Sequence, residues 1–161
     1  MPLRKRSGPA LPPSPAKLRR LFLDANVLFA ACWQSGRARA LSELAPKVGL
    51  ELLTSAHALE EAQRNLEAKR LEALEYLQVL RESVRPVPEA PWSLVQKALA
   101  KGLTLEDAPI LAAAWSARAN ALVTGDRRHF GHLMGKKVGT VWVLSLRESL
   151  ELVLDLLESQ G

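Results

Sequence analysis

Four acidic residues in this sequence have types and spacing that suit the binding of a hard cation: Asp24, Glu61, Asp107 and Asp126. Asp24 and Asp126 each lie at the end of a short apolar segment, where an unpaired charge is costly unless a cation, a hydrogen-bond donor or water meets it. Mg²⁺ prefers oxygen ligands and keeps several waters, so several carboxylates around one cavity can hold one or two such ions. The predicted chemistry is that of a Mg²⁺ or Mn²⁺ site that can also contact a phosphate.

Three of these acids also have a structural explanation that needs no metal. Asp24 suits the N-cap of a following helix, and Asn26 either orients Asp24 by a hydrogen bond or caps that helix itself. Asp107 suits the first turn of a helix, where the helix dipole favours an acid. Asp126 suits a capped turn after Gly125, whose backbone is unusually free. The residues alone leave these alternatives open.

Two adjacent glutamates, Glu60 and Glu61, compete for the helical position of the set. Ser55 is a good N-cap for their helix, whose apolar face is Ala58, Leu59, Ala62 and Leu66. At about 100° per residue, Glu61 lies about 115° and Glu60 about 145° from the centre of that face. Glu61 is therefore nearer the interior, and a solvated helix carboxylate is the alternative for either residue.

The elements that must position these acids alternate along the chain. Apolar runs predict strands at residues 21–23, 50–53, 121–123 and 138–144, with a further short strand at 84–87. Helices are predicted after Asp24, over residues 36–48, from Ser55, and over 71–81, 92–101, 110–118 and 145–158. Alternation of this kind predicts a three-layer α/β/α sandwich around a mainly parallel sheet of four to five strands. The carboxyl ends of such strands share one edge, where Asp24 and Asp126 are expected to meet.

Charge and composition divide the chain into a basic tail and one domain. Residues 1–17 hold five prolines and little to bury, so we predict a disordered tail that either contacts phosphates or is simply solvated. The predicted single domain covers residues 18–158, since 161 residues with 48% hydrophobic composition suit one core. The single Cys32 excludes an internal disulfide, and the three histidines lack zinc-ligand spacing.

The same chain offers no signal for a membrane. No apolar run approaches the ~20 residues that cross a bilayer, and the basic start leads into prolines instead of an apolar signal segment. We therefore expect a cytoplasmic protein without membrane contact. The closing helix has an apolar face that is expected to pack on the sheet or, alternatively, to form a homodimer contact.

Four short motifs together resemble the PIN-domain family. FLDANVL at residues 22–28 resembles its opening strand and first acid, and the helix SAHALEEAQRNL at 55–66 resembles the one that carries its glutamate. LEDAPILA at 105–112 resembles the third acidic motif and VTGD at 123–126 the fourth. The motifs cover most of residues 18–150 in the family's order, and the resemblance selects Glu61 over Glu60.

The resemblance implies a nuclease that binds Mg²⁺ or Mn²⁺ through Asp24, Glu61, Asp107 and Asp126 and hydrolyses RNA to 5′-phosphate and 3′-hydroxyl ends. Many bacterial relatives are toxins held by antitoxin proteins, so an antitoxin partner is expected as well. Many members have another acid shortly after the fourth motif, where this chain has Arg-Arg-His at residues 127–129. A second metal is therefore expected to bind weakly or to arrive with substrate.

Four further residues are predicted to contact the RNA substrate: Asn26, Thr124, Arg127 and Arg128. For the two arginines, an exposed loop without such a role is the alternative. Two other functions compete with the nuclease. One is a noncatalytic PIN-like RNA-binding or interaction module, and the other is a receiver-like signalling domain, which also clusters aspartates at strand ends but would need a supporting lysine. Saturable metal binding is expected of the nuclease and not of the noncatalytic module.

Overall fold

The computed structural model describes residues 13–160 of the chain. The strands in this range are β1 (Arg20–Leu23), β2 (Glu51–Ser55), β3 (Val84–Val87), β4 (Ala121–Val123), β5 (Lys137–Val138) and β6 (Val141–Leu144). The α-helices are α1 (Ala25–Trp33), α2 (Arg37–Lys47), α3 (Ala56–Lys69), α4 (Leu74–Ser83), α5 (Trp92–Leu99), α6 (Ala108–Ser116), α7 (Arg127–Phe130) and α8 (Leu146–Gln160). Short 3-10 helices lie at Pro15–Lys17, Leu71–Ala73 and Gly131–Leu133.

The strands of the described residues form one sheet in the order β3-β2-β1-β4-β6-β5. Every neighbouring pair is parallel except β5 and β6. The predicted α/β fold with a mainly parallel sheet is confirmed, but the sheet has six strands instead of four to five. The predicted strand at 138–144 is divided by a turn at Gly139, whose φ of 62° suits glycine, and its two parts pair antiparallel.

Helices cover both faces of this sheet, as the three-layer prediction requires. The crossovers from β1 to β2 and from β2 to β3 run in one direction and carry α1–α4, which contact one another. The crossover from β3 to β4 returns across the sheet and carries α5 and α6, which form a second packed pair. Since parallel crossovers are right-handed, opposite directions place the two sets on opposite faces.

The path of the chain leaves a crevice at the carboxyl end of β1. This strand pairs with β2 on one side and β4 on the other. The chain goes from β1 to β2 directly but reaches β4 only after it returns across the sheet, so the segments after β1 and β4 turn to opposite faces. Asp24 follows β1, and the loop from Thr124 to Asp126 follows β4. The topology therefore brings two of the predicted acids to this crevice.

The predicted disordered tail covers residues 1–17, and residues 1–12 of it lie outside the described residues. Of the remainder, Pro15–Lys17 forms a 3-10 helix that lies against α8. Among the helices described here, none combines the length and the apolar character needed to cross a membrane.

Candidate metal centre

Asp24 is the most enclosed acid of the site. Its backbone N–H donates to the Val123 carbonyl (3.1 Å), which fixes the residue between β1 and β4, and it is only 6% exposed. One carboxylate oxygen accepts from the Ala25 N–H (2.7 Å) at the start of α1. The other accepts from the Thr124 hydroxyl (2.9 Å) and the Asn26 side-chain amide (3.2 Å). Asp24 is therefore an N-cap and a member of the acidic set at once.

Asn26 and Thr124 join the loops after β1 and β4. Thr124 Oγ1 accepts from the Asp126 N–H (3.1 Å), and Asn26 Oδ1 accepts from the Gly125 N–H (2.8 Å). Gly125 lies outside the positive-φ region, and a Cβ there would lie 3.4 Å from Asn26 Oδ1, at the near limit of ordinary van der Waals contact. These bonds orient Asp24 and the turn before Asp126. Contact of Asn26 and Thr124 with substrate stays a prediction.

The surroundings of Asp24 make its charge expensive. Burial raises the pKa of this carboxyl to about 6, although hydrogen bonds from Thr124 and the Ala25 N–H act in the opposite direction. The negative charges of Asp107 and Glu61 raise the pKa further. The charges of Asp107 and Glu61 therefore repel that of Asp24, and a bound cation would relieve this repulsion.

Asp107 and Asp126 lie on either side of one histidine. His129 Nδ1 is 2.8 Å from Asp126 Oδ2 and 3.3 Å from Asp107 Oδ2. Burial raises the pKa of Asp126, but hydrogen bonds from the side chain and backbone of His129 outweigh it and leave the pKa below its usual value. The same Asp126 hydrogen bond raises the pKa of His129.

Local structure explains where these acids lie. Asp107 occupies the N-cap position of α6, and Pro109 lies in the first turn of that helix. The Asp107 side chain does not cap the helix but accepts a hydrogen bond from the Thr104 hydroxyl (2.9 Å). Asp126 does cap a helix, because its Oδ1 accepts from the His129 N–H (3.0 Å) at the start of α7. The capped-turn alternative for Asp126 therefore coexists with its place in the acidic set.

Glu61 is the least constrained acid of the four. It lies on α3 with its side chain 47% exposed, and its Oε1 is 3.9 Å from His57 Nε2. Its neighbour Glu60 is fully on the exposed side of the helix. Since the charge of Glu61 acts on Asp24, the structure brings Glu61 to the same edge of the sheet as the other acids.

His129 is the member of the cluster that the sequence analysis missed. Residues 127–129, for which an exposed loop is the alternative to phosphate contact, begin the helix α7, and the histidine three residues after the N-cap turns back towards Asp126. The Asp-x-x-His spacing was the available signal. Arg127 and Arg128 are exposed at the start of the same helix, where their predicted contact with RNA stays a prediction.

The donor set fits a divalent cation. One ligand atom from each of Asp107, Asp126 and His129 lies within 4.8 Å of the other two, a spacing that one ion can span. Among the described residues, Asp24 and Glu61 are not part of this group, although the charges of Asp107 and Glu61 act on Asp24. Oxygen is the donor that Mg²⁺ and Mn²⁺ favour. Attraction to these carboxylates and relief of their mutual repulsion would favour the binding of a cation.

A mainly parallel sheet with carboxylates from several elements at its switch point defines a class of α/β domains that hold divalent cations. The chain belongs to the PIN-domain family, whose model matches residues 20–128. It is also similar in fold to the crystal structure of PAE2754 from Pyrobaculum aerophilum, with a TM-score of 0.61 and 22% identity over 86% of this chain and 98% of that one. No curated protein sequence matches this chain. PIN domains generally have a metal-dependent nuclease fold.

Proposed function

We propose that this protein is a Mg²⁺- or Mn²⁺-dependent ribonuclease that hydrolyses phosphodiester bonds at the crevice between β1 and β4. The observation that carries the proposal is the group of ligand atoms from Asp107, Asp126 and His129 within 4.8 Å of one another. Beside it lies Asp24, whose pKa is raised by burial and, to a smaller extent, by the charges of Asp107 and Glu61. Membership of the PIN-domain family supports a nuclease, and the choice of RNA over DNA is part of the proposal.

The four acids would hold the cation, and the residues around them would orient the reacting groups. A divalent cation supplies an activated water and offsets charge on the attacked phosphate and the leaving 3′ oxygen. Asn26 and Thr124 keep Asp24 in one orientation through hydrogen bonds to its Oδ2. Arg127 and Arg128, which are exposed beside Asp126, are available to contact the phosphates of the strand. The expected products carry 5′-phosphate and 3′-hydroxyl ends.

The test is cleavage of end-labelled single-stranded RNA with Mg²⁺, Mn²⁺ or EDTA by the wild type and Asp126→Asn. Asparagine keeps an oxygen that can accept the His129 N–H, so α7 should persist while the charge is lost. We expect cleavage to fall at least about 100-fold, because several kcal/mol of charge stabilisation disappear. Asp155→Asn, an exposed aspartate on α8, is the matched control and should cleave like the wild type.

Wild-type cleavage by purified Asp126→Asn would exclude that residue from the proposed site. Absence of both cleavage and saturable Mn²⁺ binding in the wild type would favour the noncatalytic interaction module. An antitoxin partner and a homodimer stay predictions. Size-exclusion chromatography of the protein alone, and of the protein co-expressed with a small protein encoded by a neighbouring gene, would check them.

A further inference from the structure

His129 presents a nitrogen donor to two carboxylates of the metal-binding edge. We propose that His129 Nδ1 is a direct ligand of the cation held by Asp107 and Asp126, and that this nitrogen shifts the preference of the site from Mg²⁺ towards Mn²⁺. The proposal rests on the proposed function for the cation itself, and it adds the ligand and the choice of metal. It also assigns a role to the position where many family members carry a further acid.

The backbone holds the imidazole at this place. The His129 N–H donates to Asp126 Oδ1 (3.0 Å), and the next N–H, of Phe130, donates to the Asp126 carbonyl (3.1 Å). The Phe130 side chain is fully buried and anchors the end of α7 in the core. His129 can therefore change its rotamer, but its Cα cannot move away from the carboxylates without unfolding this turn. A cation bound by Asp107 and Asp126 lies within reach of the ring.

The imidazole ring directs its Nδ1 atom towards the position of the proposed cation. Nδ1 faces both carboxylates, at 2.8 and 3.3 Å, whereas Nε2 makes no hydrogen bond with residues 13–160. The His129 side chain donates the hydrogen bond to Asp126, so a cation that binds Nδ1 must replace that proton, which passes to water while the ring keeps its proton on Nε2. A neutral ring nitrogen is a common metal ligand. The donor set at this point is then two carboxylates and one imidazole.

This mixed set differs from an all-carboxylate site in the ion that it favours. Mg²⁺ demands oxygen ligands and gives up water reluctantly, while imidazole suits transition-metal ions. Mn²⁺ accepts both kinds of donor, because it binds carboxylates as Mg²⁺ does but also takes nitrogen ligands. Exchange of one oxygen donor for an imidazole should therefore weaken Mg²⁺ binding relative to Mn²⁺.

The competing explanation is that His129 is only a positive counter-charge that leaves when a cation arrives. His57 provides the internal comparison, because it is the other imidazole at this edge. Its Nε2 lies 3.9 Å from Glu61 Oε1, on an exposed face of the helix. His132 is a remote control, since it is exposed and its Nε2 lies 2.7 Å from the Lys101 carbonyl. His129 is thus the proposed ligand, whereas His57 only neighbours the site and His132 is remote from it.

Pulsed electron paramagnetic resonance of Mn²⁺ added to the full-length protein tests the ligand directly. A nitrogen bound to Mn²⁺ gives ¹⁴N modulation, which we expect in the wild type, in His57→Asn and in His132→Asn but not in His129→Asn. Modulation that persists in His129→Asn, or that is absent from Mn²⁺-loaded wild type, would overturn the proposal. Thermal unfolding in EDTA should show that all variants are folded.

Competition between Mg²⁺ and Mn²⁺ tests the choice of metal. The ratio of the Mg²⁺ Kd to the Mn²⁺ Kd should fall about tenfold in His129→Asp, which replaces the nitrogen with an oxygen donor. An unchanged ratio would overturn the proposed preference. RNA cleavage without ¹⁴N modulation would overturn the proposal that His129 is a ligand but support the proposed nuclease. Modulation without cleavage would support the ligand and contradict the nuclease.

Discussion

The sequence assigns the same role to Asp24 and Glu61, yet the burial and hydrogen bonding of the two side chains differ greatly. Asp24 is 6% exposed and receives three hydrogen bonds from Ala25, Asn26 and Thr124. Glu61 is about half exposed and has one distant contact with His57. The fold therefore builds the Asp24 position in advance, at an electrostatic cost, whereas the Glu61 carboxylate stays free to adjust to a cation.

This contrast teaches how a small sheet can hold several acids without unfolding. An acid at the centre of the sheet must be oriented before any ligand binds, because its surroundings are packed and cannot rearrange. An acid on a helix face costs almost nothing until a cation draws it in. The predictions that follow challenge this distinction, beginning with the change that should have the largest effect on stability.

The largest effect should be the dependence of stability on pH at Asp24. Its folded-state pKa of about 6 exceeds the unfolded value of 3.8, so its contribution to stability is present below pH 3.8 and is lost as the pH rises through 6. The shift corresponds to about 3 kcal/mol. In EDTA, the wild type should lose that much stability relative to Asp24→Asn between about pH 4 and pH 7.

Urea unfolding of both proteins across this pH range is the measurement. Other groups titrate in both proteins, so the difference between the two curves isolates Asp24. Curves that stay parallel would mean that Asp24 ionises in the folded protein as easily as in the unfolded one. A Mn²⁺ concentration that saturates the wild type should stabilise it more than Asp24→Asn, since one of the charges that attract the ion is missing in the variant.

The part of the site that sequence could predict is the part made by apolar runs and caps. The run before Asp24 and the run before Thr124 each form a buried strand, and Ser55 caps α3 through the Ala58 N–H (3.1 Å) as predicted. Those signals are local, so one sequence contains them. The shared edge follows from parallel pairing of β1 with β4, which the alternation of elements also indicates.

Other features depend on contacts that no local pattern carries. Residues 138–144 are almost continuously apolar, and only the positive φ at Gly139 reveals the turn that makes two strands. The helix α7 has four residues and no apolar period, so its only local signal is the capping spacing from Asp126 to His129. His129 joins the site only because that turn forms. The sequence therefore predicts the four acids, whose role stays a prediction, but not the imidazole beside Asp107 and Asp126.

A smaller effect should follow from Thr124→Val, which keeps the shape but removes the hydroxyl. This hydroxyl donates to Asp24 and accepts from the Asp126 N–H in a fully buried place, so its loss should cost about 2 kcal/mol. It should also raise the pKa of Asp24 further, because the Thr124 bond lowers that pKa. Urea unfolding and Mn²⁺ titration measure the two consequences.

Thr124→Ser is the matched control for that change. It retains the hydroxyl and loses one methyl group, so Mn²⁺ affinity should stay close to that of the wild type. If valine and serine weakened Mn²⁺ binding equally, packing of Thr124 and not its hydrogen bond would be what supports Asp24.

Glu61→Gln should show the opposite balance, with almost no effect on stability and a clear effect on metal binding. We expect the free energy of unfolding in EDTA to change by less than about 0.5 kcal/mol, because the side chain is half exposed. Mn²⁺ affinity should fall about tenfold with the loss of one charged oxygen donor. Calorimetric titration of Glu61→Gln beside Glu60→Gln is decisive, and equal losses in the two variants would remove the distinction between these neighbours.

The smallest effect should come from Glu51→Gln, which changes a half-exposed acid at the opposite end of the sheet from the site. Glu51 contacts Arg85 (2.6 Å) and Arg20 (3.2 Å), and the Arg85 hydrogen bond leads the causes that lower its pKa. Its contribution therefore has the opposite sign to that of Asp24, being present above the unfolded pKa of Glu and lost as the pH falls through the lowered one. Because solvent and salt screen these ion pairs, the Tm at pH 7 should change by no more than about 2 °C. RNA cleavage should be unchanged, and a loss of cleavage in this variant would show that acids anywhere on the sheet affect activity through net charge.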